Sequence, residues 1–419
     1  MYFSRNWRRI LFENMYVILI LFIVVYLLLA RYANQALKTL KISEKGRYVF
    51  GAVSVLVIVN VVLQWLFRSK AVWTIFQQYS MGALITWFII LVVLSLILFL
   101  EDIQRIGVAL FRYKSAGDKS IPSRRKFVSL LALGVASVPF LSVVYGVTKG
   151  KYNYKIWKYT LYFDDLPEAF DGYRITQISD IHAGSLDNKS KIQYGIDLIN
   201  QQQSDAIMIT GDIVNNLASE LLPWKDILKQ LKAKDGVFSV LGNHDYGDYS
   251  SWETPEAKAK NLEDLKEIQR EMGFDLILND HRYIEKNGER IAILGVENWG
   301  HGRFSKYGDL EKAMQNVSDE DFKILLSHDP THWEYEVLPE NKNIQLTLSG
   351  HTHGMQVGIE IEGLVKWSPS KWTYKYWAGM YEEAGKKLNV NRGFGYHAFP
   401  GRIGIWPEIT VIELRKKRN

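Results

Sequence analysis

The sequence contains no cysteine among its 419 residues. This absence excludes disulfide bonds, thiolate metal sites and cysteine nucleophiles. Any bound metal would therefore take its ligands from His, Asp, Asn and Glu side chains. Internal repeats and low-complexity segments are absent as well.

Acidic residues are scarce in the first part of the chain. Residues 1–158 contain 21 Lys and Arg but only 5 Asp and Glu, whereas residues 159–419 contain 30 Lys and Arg and 40 Asp and Glu. Basic residues that flank membrane segments explain the first part. The acidic second part would gain little from releasing counterions from a phosphate backbone, so nucleic acid is not an expected partner.

The first part of the chain contains three long apolar runs and a weaker fourth. The second and third runs are each 20 residues long without a charge, which is about the length that crosses a hydrocarbon core. We predict a membrane domain over residues 1–148 with about four transmembrane helices, and buried helices of a soluble domain are the alternative. The runs are Ile10–Ala30, Tyr48–Phe67, Met81–Leu100 and Phe127–Val147.

Basic residues before the fourth run bear on export and orientation. The stretch from Ser123 to Val128, which includes Arg124 and Arg125, resembles a twin-arginine export signal, and a basic cluster that holds a helix end in the cytoplasm is the alternative. Loops 31–47 and 101–126 contain five and seven Lys and Arg, so the positive-inside rule predicts a multi-pass protein with its C-terminal domain on the extracytoplasmic face. Three N-terminal arginines oppose this orientation: Arg5, Arg8 and Arg9.

From Tyr173 onward, short apolar strands alternate with helical stretches, which predicts an α/β domain over residues 166–419. The preceding segment 149–165 is rich in Tyr and Lys and is predicted as a linker, with a first strand of the domain as the alternative. The predicted strands are Tyr173–Ser179, Ala206–Thr210, Val237–Leu241, Arg290–Gly295, Lys323–Ser327 and Ile344–Ser349. The predicted helices contain Ile192–Ile199, Leu221–Lys234 and Glu256–Met272.

Five polar motifs each follow directly on a predicted strand. Ligands of open α/β sheets gather outside the carboxyl ends of strands, so the five motifs are expected to converge on one pocket. Their imidazoles and carboxylates suit two divalent ions such as Mn²⁺, Fe or Zn²⁺, and one carboxylate can bridge both. The motifs are Asp180-Ile181-His182, Gly211-Asp212, Gly242-Asn243-His244-Asp245, Ser327-His328-Asp329 and Gly350-His351-Thr352-His353.

The order of these motifs resembles the calcineurin-like metallophosphoesterase superfamily, whose pattern runs D-x-H, G-D, G-N-H-[DE], H and G-H-x-H. The resemblance extends from about Asp171 to Glu413 and is greatest to a membrane-associated bacterial phosphodiesterase-type branch with twin-arginine leaders. Met355 departs from the second glycine common in G-H-T-H-G-G-Q. The resemblance implies an α/β fold, with two mixed sheets in a four-layer β-sandwich flanked by helices.

The resemblance also implies a role for each matching residue. Asp212 would bridge the two ions, His244 would be the outer-shell acid or charge stabiliser, and Asp245 would support that loop. Protein phosphatases of this superfamily read G-D-x-V-D-R-G, whereas Asn215 and Asn216 stand here in place of the second Asp and the Arg. This difference argues against protein phosphatase activity. One ion would be held by Asp180, His182 and His353, and the other by Asn243, His328 and His351.

We therefore expect a membrane-anchored phosphoesterase. Its substrates would be phosphodiesters or pyrophosphates, including lipid-linked compounds, and its nucleophile would be a hydroxide that bridges the two ions. The alternative is a membrane sensor that binds through the same fold without turnover. A segment dense in Trp, Tyr and Lys, Lys366–Tyr381, is open to three interpretations: a packed loop, a membrane contact through Trp372, Lys375 and Trp377, or single-stranded nucleic-acid binding.

Four histidines fall outside the motifs, and each is expected at the surface or satisfied in the core. His301 and His397 lie in Gly-rich loops, where lining the pocket is the alternative. Arg392 follows a strand-like stretch, and a structural role in its loop is expected over contact with substrate phosphate. The four histidines are His281, His301, His332 and His397.

Overall fold

The computed structural model describes residues 3–66, 74–112, 122–302, 304–340 and 342–418. The chain divides into two compact units, one built from residues 1–68 and 76–144 and the other from residues 69–75 and 145–419. We call them the helical unit and the catalytic unit. Several side chains singled out above lie outside the described part: Arg5, Arg8, Arg9, Phe67, Ser123 and Arg124.

The helical unit confirms the predicted apolar helices. Each of its four helices is long and apolar enough to cross a membrane by length and composition. Many of their leucines and valines are exposed, as expected of surfaces that face lipid rather than water. The helices are α1 Phe3–Thr39, α2 Glu44–Leu66, α3 Ile75–Arg112 and α4 Pro122–Thr148.

Arg125, from the twin-arginine-like motif, has partners inside the helical unit. Its guanidinium contacts the carboxylates of Glu101 and Asp102 on α3. Asp102 also accepts a hydrogen bond from the Tyr32 hydroxyl at 2.6 Å. These ion pairs give Arg125 a structural role at a helix end, and the export signal stays a prediction.

The catalytic unit contains two six-stranded mixed sheets. The first has the strand order β1-β14-β2-β3-β4-β5 and the second the order β12-β13-β9-β8-β7-β6, while β10 and β11 form a separate hairpin. The strands of the first sheet are β1 Lys155–Phe163, β2 Arg174–Ile178, β3 Ala206–Thr210, β4 Val237–Val240, β5 Phe274–Leu276 and β14 Glu408–Lys416. The remaining strands are β6 Asp280–Lys286, β7 Glu289–Gly295, β8 Phe322–Leu326, β9 Leu346–Ser349, β10 Ile359–Ile361, β11 Val365–Trp367, β12 Gly379–Glu383 and β13 Lys386–Val390.

The two sheets pack face to face and helices cover their outer faces, as predicted for a four-layer sandwich. Buried side chains from both sheets, such as Met208 and Ile324, share one core. The outer face of the first sheet packs on α5, which buries Ile192, Ile196 and Ile199 along one stripe. The helices are α5 Lys189–Asn200, α6 Lys225–Leu228, α7 Pro255–Glu271 and α8 Leu310–Ala313.

Two segments differ from the sequence-based expectation. Within 149–165, residues 155–163 form strand β1, because their backbone pairs in parallel with β14 along its whole length. The domain boundaries at 148 and 166 stay a prediction. The predicted helix Leu221–Lys234 is shorter, because the chain forms a 3₁₀ turn at Ala218–Trp224, which contains Pro223, and then only the four residues of α6.

Candidate metal centre

The five motifs lie at the carboxyl ends of five parallel-paired strands, as predicted. Strands β2, β3 and β4 are mutually parallel in the first sheet, and β8 and β9 are parallel in the second. The loops after them bring all seven predicted ligands together. The ligands are Asp180, His182, Asp212, Asn243, His328, His351 and His353.

The first group consists of Asp180, His182 and His353. The Nε2 atoms of the two histidines lie 3.0 Å apart, and Nε2 of His353 lies 3.2 Å from Oδ1 of Asp180. All three side chains are buried. Their potential ligand atoms lie within 4.8 Å of one another, which is the spacing that one ion requires.

The second group consists of Asn243, His328 and His351. Nδ1 of His351 lies 2.8 Å from Oδ1 of Asn243 and 3.2 Å from Nε2 of His328. The hydroxyl of Tyr374 contacts the other ring nitrogen of His351 at 2.9 Å. The potential ligand atoms of His328, His351 and Asp212 lie within 4.8 Å of one another, which is the spacing that a second ion requires.

Asp212 connects the two groups. Its Oδ2 lies 3.1 Å from Nε2 of His328 and 3.6 Å from Nε2 of His182. Its Oδ1 accepts a hydrogen bond from the backbone N–H of His244 at 2.9 Å. One carboxylate oxygen therefore faces a histidine from each group, which is the position that a bridging ligand needs.

The hydrogen bonds of the rings test whether the residues fit a metal. His328 donates from Nδ1 to the carbonyl of Thr210 at 2.7 Å, and His182 contacts Oδ1 of Asn215 through Nδ1 at 3.0 Å. Both rings then direct the lone pair of Nε2 at the Asp212 carboxylate, an arrangement that repels unless a cation lies between them. A metal-binding histidine has this hydrogen-bond pattern, so His182 and His328 fit divalent ions.

The charge of the site leads to the same conclusion. Burial alone would lower the pKa of His328, but the Asp212 carboxylate, together with Asp180 and the Thr210 carbonyl, outweighs burial and raises the pKa to about 10. The pair therefore stabilises a positive charge between Asp212 and His328, which a proton or a metal ion can supply.

The backbone of five candidate ligands is left-handed, which is uncommon for residues other than glycine. Such conformations cost on the order of 1–3 kcal/mol each and cluster at functional sites, where the surrounding structure holds them. The strain is evidence that these loops are shaped for a site. The φ angles are 52° at Asp180, 47° at His182, 53° at Asp212, 71° at His351 and 50° at His353.

Two motif glycines are required by close packing rather than by backbone conformation. A Cβ on Gly350 would collide with Oγ of Ser179 and with the Asp180 carboxylate. A Cβ on Gly242 would collide with Oδ1 of Asp212. Gly211, with a φ of 86°, is the motif glycine whose backbone conformation lets the chain turn at the strand end.

His244 and Asp245 have different environments. His244 is partly exposed, and its Nδ1 donates to the carbonyl of Asn215 at 2.8 Å. Asp245 is buried, and its carboxylate accepts hydrogen bonds from the N–H groups of Gly242, Ile213 and Val214. Burial, together with the charge of Asp212, raises the pKa of Asp245 to about 7. Asp245 thus supports the loop, whereas His244 can reach a ligand.

His397 was expected at the surface or in the core, with lining the pocket as the alternative, and Arg402 was not predicted as a site residue. The ring of His397 stacks on His182 at 4.6 Å and lies 4.4 Å from the ring of His244, so it lines the site. Arg402 is fully buried, contacts Nδ1 of His353 at 3.2 Å and donates to the carbonyl of Gly395 at 2.6 Å. The signal for Arg402 was a lone charge in the apolar stretch 401–406.

The other polar residues have structural partners. His332 is buried against Ser327, with Nδ1 at 2.8 Å from the hydroxyl. His301 stacks on Tyr335 rather than on the metal groups. Arg392 pairs with Glu408 and with Glu360, as expected of a structural residue in its loop.

Comparisons with known proteins agree with this geometry. Residues 173–355 match the family model described as calcineurin-like phosphoesterase, and residues 14–151 match a probable calcineurin-like phosphoesterase transmembrane domain. A transmembrane protein with a metallophosphoesterase domain from Danio rerio is 28% identical over 75% of this chain and 68% of its own length. The metallophosphoesterase YkuE of Bacillus subtilis is 30% identical over 60% of this chain and 82% of its own length.

Among solved structures, the phosphopantetheinyl hydrolase of Mycobacterium tuberculosis aligns with 53% of this chain and 89% of its own, at 14% identity and a TM-score of 0.32. The family matches cover both the helical unit and the strand-end motifs. The chain therefore belongs to the calcineurin-like metallophosphoesterase family, as a membrane-associated, metal-binding hydrolase with an N-terminal four-helix transmembrane phosphoesterase domain.

Proposed function

We propose that this protein hydrolyses phosphate esters with two divalent ions that share Asp212. The observation that carries the proposal is the position of Oδ2 of Asp212, 3.1 Å from His328 in one ligand group and 3.6 Å from His182 in the other. When bound, two divalent ions polarise the phosphoryl group and make a nucleophile of water near neutral pH.

The ligand division follows the two groups. Asp180, His182 and His353 would hold one ion, while Asn243, His328 and His351 would hold the other. Hard and borderline ions, namely Mn²⁺, Fe and Zn²⁺, suit such oxygen and nitrogen donors. The left-handed backbone of five of the seven ligands supports a preformed site, because it fixes their donor atoms before any ion binds.

His244 is the proposed catalytic residue of the chain itself. Its Nδ1 is occupied by the carbonyl of Asn215, which leaves Nε2 for a phosphoryl or leaving-group oxygen. The His244 backbone N–H holds the Asp212 carboxylate, so one residue both orients the bridging ligand and faces the substrate. Asp245 acts as a positioning residue, because it fixes the loop through three backbone N–H groups.

The proposed substrates are phosphodiesters or pyrophosphates, with lipid-linked compounds foremost. Attachment of the catalytic unit to apolar helices would keep it near the membrane, which raises the effective concentration of lipid-linked substrates. We also propose a multi-pass protein with residues 1–148 as membrane domain and the catalytic domain on the extracytoplasmic face. The basic loops 31–47 and 101–126 support that orientation. The twin-arginine leader and the bacterial branch belong to this proposal.

The test is hydrolysis of bis-p-nitrophenyl phosphate by the full chain in lipid nanodiscs, after chelation and re-addition of Mn²⁺. We expect turnover that requires metal and that His244→Gln strongly reduces while metal content is kept. The matched control is His281→Gln, a histidine on β6 outside both ligand groups. Two tightly bound ions without turnover of bis-p-nitrophenyl phosphate, or of the monoester p-nitrophenyl phosphate in the same assay, would contradict the enzyme and favour the sensor.

A further inference from the structure

The β10–β11 hairpin has one apolar face and one polar face. Its strands pair antiparallel, with Ile359 opposite Trp367, Glu360 opposite Lys366 and Ile361 opposite Val365. Directly opposed residues point to the same face of a two-stranded sheet, and successive residues alternate between faces. Glu360 and Lys366 therefore share one face. The other face consists of Ile359, Ile361, Val365 and Trp367.

The polar face is the one turned toward the protein. Glu360 accepts a hydrogen bond at 2.6 Å from Arg392, which is itself buried, and Lys366, although exposed, donates from Nζ to the carbonyl of Ala378. The apolar face is turned outward, where Ile359 and Ile361 are both more than half exposed. This is the reverse of a strand pair at a water-facing surface, which buries its apolar side chains and exposes its polar ones.

The exposed apolar side chains are concentrated around this hairpin. Among the described residues from 145 onward, seven Val, Ile, Leu and Met side chains are more than a third exposed, and six of them lie between 355 and 365. The most exposed is Leu364, at 79%, in the turn between the strands. A cluster of this kind marks an interaction surface. The six are Met355, Val357, Ile359, Ile361, Leu364 and Val365.

The base of the hairpin adjoins the end of α4. Val357 forms a β-bridge with Ile403, and the N–H of Gly358 donates to the Ile403 carbonyl at 2.8 Å. On its other side, Ile403 lies against the last turn of α4, where its side chain would be 2.8 Å from a Cβ on Gly146. The N–H of Arg402 donates to the Gly146 carbonyl at 3.2 Å. All these residues lie within the catalytic unit.

The length and apolar composition of α4 indicate what covers the apolar face of the hairpin. Residues 125–152 are long and apolar enough to cross a membrane, and Gly146 belongs to this span. If residues 125–152 cross a membrane, a surface held one residue away from the end of that span lies beside the bilayer. Trp372, 73% exposed, packs edge-on against Trp367 at 5.7 Å, and tryptophan favours the membrane–water interface.

We propose that the β10–β11 hairpin inserts its apolar face into the bilayer at the boundary between headgroups and acyl chains. The hairpin is then a second membrane contact of the catalytic unit, in addition to α4. Because His353 and Met355 precede the hairpin directly in the chain, the contact keeps the metal centre close to the lipid surface. The proposal concerns lipid contact and does not depend on turnover.

The absence of native cysteine permits a direct measurement of depth in the full chain. Ile361→Cys and Leu364→Cys place nitroxide labels on the β10–β11 hairpin. Glu285→Cys, an exposed position on β6, is the matched control in the β6–β7 hairpin. In lipid nanodiscs, collision rates with oxygen report contact with lipid, and those with a nickel chelate report contact with water. We expect a several-fold higher ratio of oxygen to nickel collisions at both hairpin labels than at the control.

Equal ratios at the hairpin and control labels would overturn the proposal. A low oxygen collision rate together with dipolar coupling between two Leu364→Cys labels would also overturn it, because a second copy of the chain would then cover the face. Circular dichroism and thermal unfolding check that each labelled variant is folded. The two hairpin positions are read independently, so a disturbed fold in one leaves the test to the other.

Discussion

Replacing Asp212 with asparagine should remove metal-dependent activity while the protein stays folded. In the native chain, Oδ2 of Asp212 faces Nε2 of His328 at 3.1 Å and Nε2 of His182 at 3.6 Å. Both rings use Nδ1 elsewhere, so their Nε2 lone pairs are directed at the carboxylate. An asparagine has the same shape but replaces one oxygen by an NH₂ group, which cannot bind a metal.

Two magnitudes follow from this geometry. The asparagine fills the same volume and can donate from Nδ2 to Nε2 of His328, so the free energy of unfolding without metal should change by less than about 2 kcal/mol. Asp212 would hold both ions in place, so its loss should cost at least as much as the loss of one preorganised electrostatic group, which lowers kcat by about 10²–10³-fold, or about 2.7–4 kcal/mol. The free energy of unfolding and the activity should therefore respond very differently.

The assay compares the native chain and Asp212→Asn in nanodiscs, with thermal unfolding measured in chelator, metal content after Mn²⁺ loading, and hydrolysis of bis-p-nitrophenyl phosphate. Asp264→Asn is the matched control, because Asp264 pairs with Lys260 on the exposed face of α7, where such a pair contributes about 0–1 kcal/mol. The control should keep metal and activity. Activity of Asp212→Asn within tenfold of native, with two ions retained, would refute the bridging role.

Three further substitutions separate positioning from metal binding. Asp245→Asn places an NH₂ group among backbone N–H donors, so thermal unfolding should report a loss of about 2 kcal/mol while metal content stays at the native level. Unchanged stability would contradict its role in the loop. Gly350→Ala pushes a methyl group against the Asp180 carboxylate, and metal analysis should find at least one ion lost; full occupancy would mean that the loop yields. His397→Ala removes a ring packed on His244, and steady-state kinetics should show a raised KM or lowered kcat with both ions kept. Native kinetics would place His397 outside the substrate's reach.

The fold and the ligand set follow from local patterns. Buried strands such as β3 and β8 are short apolar runs, and the polar residue after each run lies where the strand must end. A strand that is buried on both faces is expected to lie in the middle of a sheet. Ligands gather outside the carboxyl ends of strands, so His328 and Asp212 were expected to meet although 116 positions separate them in the printed sequence. Their strands, β8 and β3, lie in different sheets, and the two residues meet because these sheets pack face to face.

Residues that reach the site from loops were harder to identify. Arg402 and His397 lie in the loop between β13 and β14, and their contacts depend on how that loop folds over His353. No periodicity marks such a contact, because side-chain direction in an irregular loop is set by tertiary packing. A lone arginine among apolar residues indicated a buried side chain, but it did not indicate which of the metal ligands this side chain contacts.

The aromatic segment shows a different limit. Trp372 and Trp377 were considered together as membrane contacts, yet Trp377 is 6% exposed and only Trp372, at 73%, faces outward. Residue type alone does not say which face an aromatic ring takes. The alternation Ile359-Glu360-Ile361 could have predicted the hairpin, but a three-residue strand is too short to distinguish from a loop.

The shared role of Asp212 is tested most directly by electron paramagnetic resonance of the full chain during titration with Mn²⁺. A carboxylate that bridges two manganese ions brings them close enough for their electron spins to couple. We predict a spin-coupled spectrum that grows to saturation at two ions per chain and that disappears in Asp212→Asn. Saturation at one ion per chain, or an uncoupled six-line spectrum with two ions bound, would contradict a dinuclear centre bridged by Asp212.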